Sequence, residues 1–247
     1  MEGIHMKKIF RKKAADKNKS ELKKASKSEQ QKESKRSITA NKAEEKEFDS
    51  FFSEVIKKFP KKTSSIILSS YGKSKVQAEK VLAKSKRQFD GIFDEFLEGV
   101  DEDTRKKCHQ TVHAASLTAA IVGCSPIPFS DALLLVPIQL TMMARLHKLF
   151  GQSWSESMGK SVGKEIVVVG LGKSAVGNII KFLPGIGTVA GAAINASVAS
   201  TITETLGWVT VKMLNDGEDI FEQTMSFKGQ FQTLFNMVQQ SSKQSKK

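Results

Sequence analysis

Three short stretches of this 247-residue chain carry residue types that do chemistry. Val167-Val168-Val169-Gly170-Leu171-Gly172-Lys173-Ser174 has the look of a strand entering a phosphate loop. That loop is spaced G-x-x-x-x-G-K-[ST], so with Gly172-Lys173-Ser174 fixed its first glycine belongs at position 167, where Val stands. No acidic residue in a following apolar strand offers itself for Mg²⁺. A dinucleotide fingerprint fails too, because Ala175 stands where Gly170-x-Gly172 needs a third glycine. These glycines read instead as positions of close helix packing.

His109 and His113 lie four apart, so on a helix they share a face and have the spacing of two metal ligands. The zinc-protease pattern places a Glu directly after the first His, and here it is Gln110. The other ligand type nearby, Cys108, falls on a different face. Cys108 and Cys124 are the chain's two cysteines, and both sit in apolar stretches. They read as small buried hydrophobes of a reducing compartment rather than as a disulfide. With no nucleophile–base pair and no ligand set, neither catalysis, cofactor nor metal is expected. Asp131, between Phe129 and Leu133-Leu134-Leu135, is the most exposed to argument. A carboxylate in such surroundings needs a partner, or else a first-turn position where it meets free backbone N–H groups. The second reading is adopted, with a helix starting near Ser130. Gln139, two turns on, shares that face and is placed to bond across to another helix.

The elements that would position these groups follow from periodicity. Residues 1–43 are expected to be a disordered Lys-rich tail, because they hold too little apolar area to offset the entropy of ordering. Residues 1–45 carry 14 basic and 7 acidic side chains, a net +7 of the whole chain's +13. Within them Lys7, Lys8, Arg11, Lys12 and Lys13 surround Ile9 and Phe10. The first 25 residues lack the apolar core of a signal peptide, and Gly3 is one place late for myristoylation. A helical domain is expected over 44–240, with a polar tail at 241–247. Phe48, Phe51, Phe52, Val55 and Phe59 mark one helix face, which Pro60 ends. A longer helix is expected over Ser74–Leu97, on a face of Val76, Val81, Phe89, Phe93 and Phe96, with Asp101 or Asp103 capping the next one. Residues 108–130 are free of Asp, Glu, Lys and Arg, interrupted by Pro126 and Pro128, and a helix then runs to Phe150 and stops at Gly151. A second apolar half spans 165–214 and contains the turn Pro184-Gly185-Ile186-Gly187. Ile166–Val169 is read as helix, having no alternation and no partner strand. A last helix over 218–240 carries Phe227, Phe231, Leu234, Phe235 and Val238 on one side. The fold class is therefore all-α, two Gly/Ala-rich hairpin-like halves packed on each other. Gly187 and Gly191, four apart, are expected to line the contact. The uncharged run 182–203 reaches the roughly 20 residues that span a bilayer, but Pro184, three glycines and Asn195 make insertion marginal.

Pro126-Ile127-Pro128-Phe129-Ser130-Asp131-Ala132, followed by Pro137-Ile138-Gln139, Met142-Met143 and Phe150-Gly151, resembles the YcjF-like family, domain of unknown function 697. The later block, Pro184-Gly185-Ile186-Gly187, a small-residue helix and Thr203…Leu206-Gly207, agrees with it. The resemblance covers roughly 74–215. It implies a helical domain without enzymatic activity, often membrane-embedded and in many members fused behind an Era-type GTPase domain. The 73 residues before it here are too few and too polar to form that GTPase.

The function expected is non-enzymatic membrane-associated binding or scaffolding on the cytoplasmic face of the cytoplasmic membrane, working with a separate GTPase. The partners expected are the lipids of an anionic leaflet and a further copy of the chain. The tail's five basic residues near such a leaflet add up to ~5 kcal/mol at ~1 kcal/mol each. The rival is a soluble cytoplasmic helical adaptor whose Gly/Ala-rich helices are buried core. Nucleic acid is not expected, since the tail lacks aromatics to stack on bases and has little Arg.

One consequence concerns the glycine–lysine stretch. The purified chain is expected to show no saturable binding of ATP or GTP, measured by titration with a fluorescent nucleotide. Binding that disappears in Lys173→Ala would establish the phosphate loop rejected here.

Overall fold

The computed structural model describes residues 41–89, 93–127, 134–155 and 190–244. The chain divides into two units, residues 1–46 and 47–247. Residues 41–46 of the first are helical. In the second, helix α1 occupies 47–56, followed by α2 (Lys61–Phe89), a 3-10 turn (Glu95–Leu97), α3 (Glu102–Cys124), α4 (Val136–Leu149), α5 (Ala190–Asn215) and α6 (Thr224–Gln244). The protein is all-α, with no strand among the described residues.

Helices α3 and α5 form the centre. From Thr111 to Gly123, α3 is buried at every position but His113, so it reads as apolar or small almost all round. Its Ala, Ser, Thr and Gly residues let another backbone come close. A Cβ added to Gly123 would lie 2.8 Å from the backbone of Asn195 and Ala196 in α5. At the other end, a Cβ on Gly207 of α5 would meet both methyls of Val112 at 2.9 and 3.1 Å, and Met142 Sδ of α4 at 2.9 Å. Between these contacts both helices advance eleven residues in opposite senses, so α3 and α5 run antiparallel over about 16 Å. Gln139 of α4 reaches Thr203, and Met142 reaches Gly207, so α4 runs along α5 and opposite to α3. The two apolar halves thus meet where α3 and α4 of the first lie against α5 of the second.

This corrects the expected contact. Gly191 is exposed in the first turn of α5, and a Cβ there would meet nothing within 4 Å. The packing face is instead the Ala196, Ala199, Thr203, Leu206 row, one face of α5 at three- and four-residue spacing. Gly187 lies outside the described residues.

The outer helices bring aromatic stripes to this pair. Phe48, Phe51, Phe52, Val55 and Phe59 are all buried, as are Phe227, Phe231, Leu234, Phe235 and Val238 of α6. Each such side chain removed from water contributes ~1.5–3 kcal/mol. Arg145 of α4 then ties α1 by hydrogen bonds to Glu47 Oε1 at 2.6 Å, Glu54 Oε2 at 2.8 Å and Ser50 Oγ at 3.2 Å, its guanidinium lying over the Phe51 ring. These ion pairs are partly exposed and worth ~0.2–1 kcal/mol each. The phenylalanines therefore hold α1, and Arg145 fixes its register. Burial alone would raise the Glu54 carboxyl, but hydrogen bonds from Arg145 and Lys58 outweigh it and hold the group below its ordinary value.

Three further boundaries differ from the sequence expectation. Helix α2 begins directly after Pro60, and its inner face is Ile67, Tyr71, Ser74, Ala78 and Leu82, while Val76 is 53% exposed. Phe93 and Phe96 belong to the turn after it, not to its face. Helix α4 begins at Val136, with Leu135 as a cap that makes no side-chain bond and Pro137 in the first turn, where a missing N–H costs nothing. Ser130 and Asp131, where the sequence places a helix start and its first-turn carboxylate, lie outside the described residues. The last helix starts at Thr224, after turns over 220–223. Asp101 does cap α3, accepting from the Thr104 N–H at 3.0 Å. Gly151 (φ +69°) and Gly217 (φ +74°) close α4 and α5 in the left-handed conformation, the following residues bonding back to the His147 and Met213 carbonyls.

The close approach can be measured. Gly123→Leu is expected to lower folding stability by ~3 kcal/mol or more through overpacking against the α5 backbone. Gly191→Leu should stay within about 1 kcal/mol of wild type. Thermal midpoints of the two variants decide it; equal losses would remove α3–α5 contact as the basis of the fold.

Candidate functional site

Where α3, α4 and α5 meet there is a buried polar layer. Gln139 is fully buried, and its Nε2 donates to Thr203 Oγ1 at 3.3 Å. The antiparallel register places Ser116 of α3 level with Thr203. Gln139 Oε1 and Ser116 Oγ have no hydrogen-bond partner, nor has Thr205 Oγ1, two residues past Thr203 and so on another face of α5. Leaving such groups unpaired costs ~1–3 kcal/mol each. None is a nucleophile with a base beside it, so the layer has no catalytic geometry.

The other reactive side chains are similarly occupied. Burial pushes the Cys108 thiol up to about 12 and the Cys124 thiol up to about 11, so both are protonated at neutral pH. His109 packs edge-on against Trp208 at 4.7 Å, and Trp208 stacks on Phe93 at 4.2 Å. No group of three His, Cys, Asp or Glu side chains among the described residues is placed to hold a metal. His147, which the sequence gave no reason to notice, is buried with Nδ1 donating to the Met143 carbonyl at 2.7 Å and its ring edge-on to Trp154. Burial drives its pKa below the ordinary 6.5, outweighing the Met143 hydrogen bond and the charge of Asp219.

The open feature lies elsewhere, at the corner between α1 and α2. A groove of about 570 Å³ there is floored by Ile56, Phe59 and Leu68 and rimmed by Lys57, Lys61 and Ser65. Its sequence signal is Lys57-Lys58-Phe59-Pro60-Lys61-Lys62, four lysines around the proline that ends α1.

The residues singled out from the sequence fall in separate places. Pro126 is exposed just past the end of α3, Pro137 is in the first turn of α4, Gln139 is in the buried layer and Gly151 is at the end of α4. Pro128, Asp131, Pro184, Gly185 and Gly187 lie outside the described residues, as do Gly170–Ser174, Ile166–Val169 and the basic Lys7, Lys8, Arg11, Lys12 and Lys13. Of the described motif positions, Gln139 hydrogen-bonds a side chain of the second half, Thr203.

The architecture is an all-helical domain with two small-residue helices at its centre. Residues 87–240 match the family described as Domain of unknown function (DUF697), and the chain belongs to that family. The match takes in α3 to α5 and most of α6, and leaves α1 and nearly all of α2 outside it. Over 111 residues the chain is 34% identical to Magnetosome membrane protein 22 of Magnetospirillum gryphiswaldense, a stretch that covers 43% of this chain and 55% of that protein. The chain thus spans about half the length of that relative. No solved structure matches it.

His147 makes stability depend on pH. Above 6.5 neither the folded nor the unfolded chain protonates it. As pH falls below 6.5 the unfolded chain takes up a proton that the folded one resists, so stability declines until the lower folded pKa is reached, by up to ~1.4 kcal/mol per pH unit. Denaturant titrations between pH 7 and 5 should show this slope, and His147→Gln should flatten it. An unchanged slope in the variant would place the effect on other groups.

Proposed function

We propose that this protein is a non-enzymatic helical scaffold that associates with the cytoplasmic face of a membrane by its surface. The observation that carries this is the shared stretch with a protein named for the magnetosome membrane. The positive charge supports it, since a net +13 suits an anionic leaflet. Surface attachment rather than spanning follows from how the apolar helices are used. Helices α3 and α5 spend their apolar surface on each other and on the helices around them. No helix among the described residues is long and apolar enough to cross a membrane. The tail residues Lys7, Lys8, Arg11, Lys12 and Lys13 would add electrostatic attraction. A GTPase acting from a separate chain is the partner that the family's common fusion suggests.

The same burial of α3 and α5 favours the soluble adaptor as second reading, and fractionation separates the two. In cells lysed at low salt the protein should pellet with membranes and come off in carbonate or high salt. A protein in the soluble fraction from the start would support the adaptor, and one that stays in the pellet after carbonate would refute surface attachment.

A further inference from the structure

We infer that the α1–α2 corner and the outward face of α2 form the surface that lies on the membrane, its occupant being the headgroup layer of anionic lipids. This rests on the membrane reading above and names the contact.

The corner sequence Lys57-Lys58-Phe59-Pro60-Lys61-Lys62 puts four lysines around one turn, with Phe59 turned inward at 7% exposure. Lys58 is already engaged, bonding Glu54 at 3.0 Å and Thr141 at 2.8 Å. Lys57, Lys61 and Lys62 are exposed and have no acidic side chain within 4.0 Å among the described residues. The outward arc of α2 continues the pattern. Lys73 and Lys80 are exposed on it, Glu79 is the acidic side chain it carries, and the first turn of α2 has no acidic residue. The arc is therefore a basic stripe that runs from the corner about five turns along α2.

Charge alone would suit any polyanion, and the apolar side chains decide between them. Leu68 and Val76 are each 53% exposed, two of the four large hydrophobics left in water among the described residues. Both sit on α2 between these lysines, and Leu68 reaches into the corner groove. Lysines flanking exposed aliphatic groups match an interface where apolar side chains enter the headgroup–acyl boundary while the ammonium groups stay at the phosphates. A nucleic acid would instead want exposed aromatics or Arg, and Tyr71, the aromatic ring on α2 nearest this face, is packed against Phe52 at 5.0 Å. The surface belongs to the part of the chain before residue 87, ahead of the family match, so the family core would be carried on an added lipid-facing hairpin.

The test uses the full chain and vesicles of equal parts phosphatidylglycerol and phosphatidylcholine, read by co-sedimentation at low salt. Wild type should bind these and not pure phosphatidylcholine. The triple variant Lys57→Gln, Lys61→Gln, Lys62→Gln should lose roughly 100-fold in partition, at about fivefold per lysine. The matched variant Lys106→Gln, Lys148→Gln, Lys228→Gln, exposed lysines on other helices, should bind nearly as wild type. A second measurement places the face directly. Leu68→Cys carrying an environment-sensitive dye should shift to the blue on vesicles, and Met237→Cys should not, each made with Cys108 and Cys124 replaced by Ala so that the dye has one site. If the corner variant binds like wild type, or the dye at position 68 does not shift while the protein sediments, the surface is wrong and the membrane reading stands. If wild type ignores anionic vesicles, both fall.

Discussion

The approach of α3 to α5 sets the geometry that every other helix has to accept. At Gly123 the two backbones leave no room for a methyl group, and at Gly207 the stiff Val112 side chain fills the place a Cβ would take. Side chains of ordinary size would hold the axes 8–10 Å apart; glycine and alanine at the crossings let them close up, so that dispersion contacts run along the whole pair. Such a pair has little volume of its own, and the bulk of the core has to be brought to it. That is the work of the phenylalanine rows of α1 and α6, which are large where α3 and α5 are small.

The large residues were readable in the sequence for that reason. Phe48 to Phe59 and Phe227 to Val238 recur at helical spacing against polar neighbours, and both rows are buried. Asp101 and the turn glycine Gly151 were readable because a cap or a positive φ demands particular residue types. Small residues give no such direction. Gly187-x-x-x-Gly191 looked like a packing face, yet Gly191 faces outward, because spacing says which residues share a face and not which way that face turns. The contact glycine was Gly123, in a run so uniformly apolar that it stood out from nothing around it. Helix α2 was mistaken for a similar reason. Its inner row mixes Ser74 and Ala78 with Ile67 and Leu82, so the bulkier Val76 drew the assignment to the wrong side. Gln139 was legible as a polar residue in an apolar setting, but its partner Thr203 was not, since threonine is common in helices like α5.

The buried layer around Gln139 is costly for the core that holds it. Gln139 reaches Thr203, while Ser116, Thr205 and Trp208 keep buried polar atoms without a partner. That costs ~1–3 kcal/mol apiece and is set against several aromatic side chains buried in the same core. Small residues permit close packing in lipid and in protein alike, so the composition of α3 and α5 accounts for their approach and not for the medium around them.

The same economy shapes the exterior. Arg145 draws Glu47 and Glu54 of α1 toward α4, and Glu54 takes Lys58 with it. The Glu54 carboxylate, the one of the two close to the turn after α1, is thereby held by Arg145 and Lys58. Lys57, Lys61 and Lys62 are left with no counter-charge within reach among the described residues, beside an exposed Leu68. A contact that fixes helix register inside the fold thus also determines the sign of the surface outside it. Replacing Arg145 would do more than loosen α1, because it would free the Glu54 carboxylate, one turn from the corner, to turn back toward the lysines. The stability of α1 and the charge of its corner are therefore linked through one guanidinium, and a surface that needs to stay basic gains from having its acids held elsewhere.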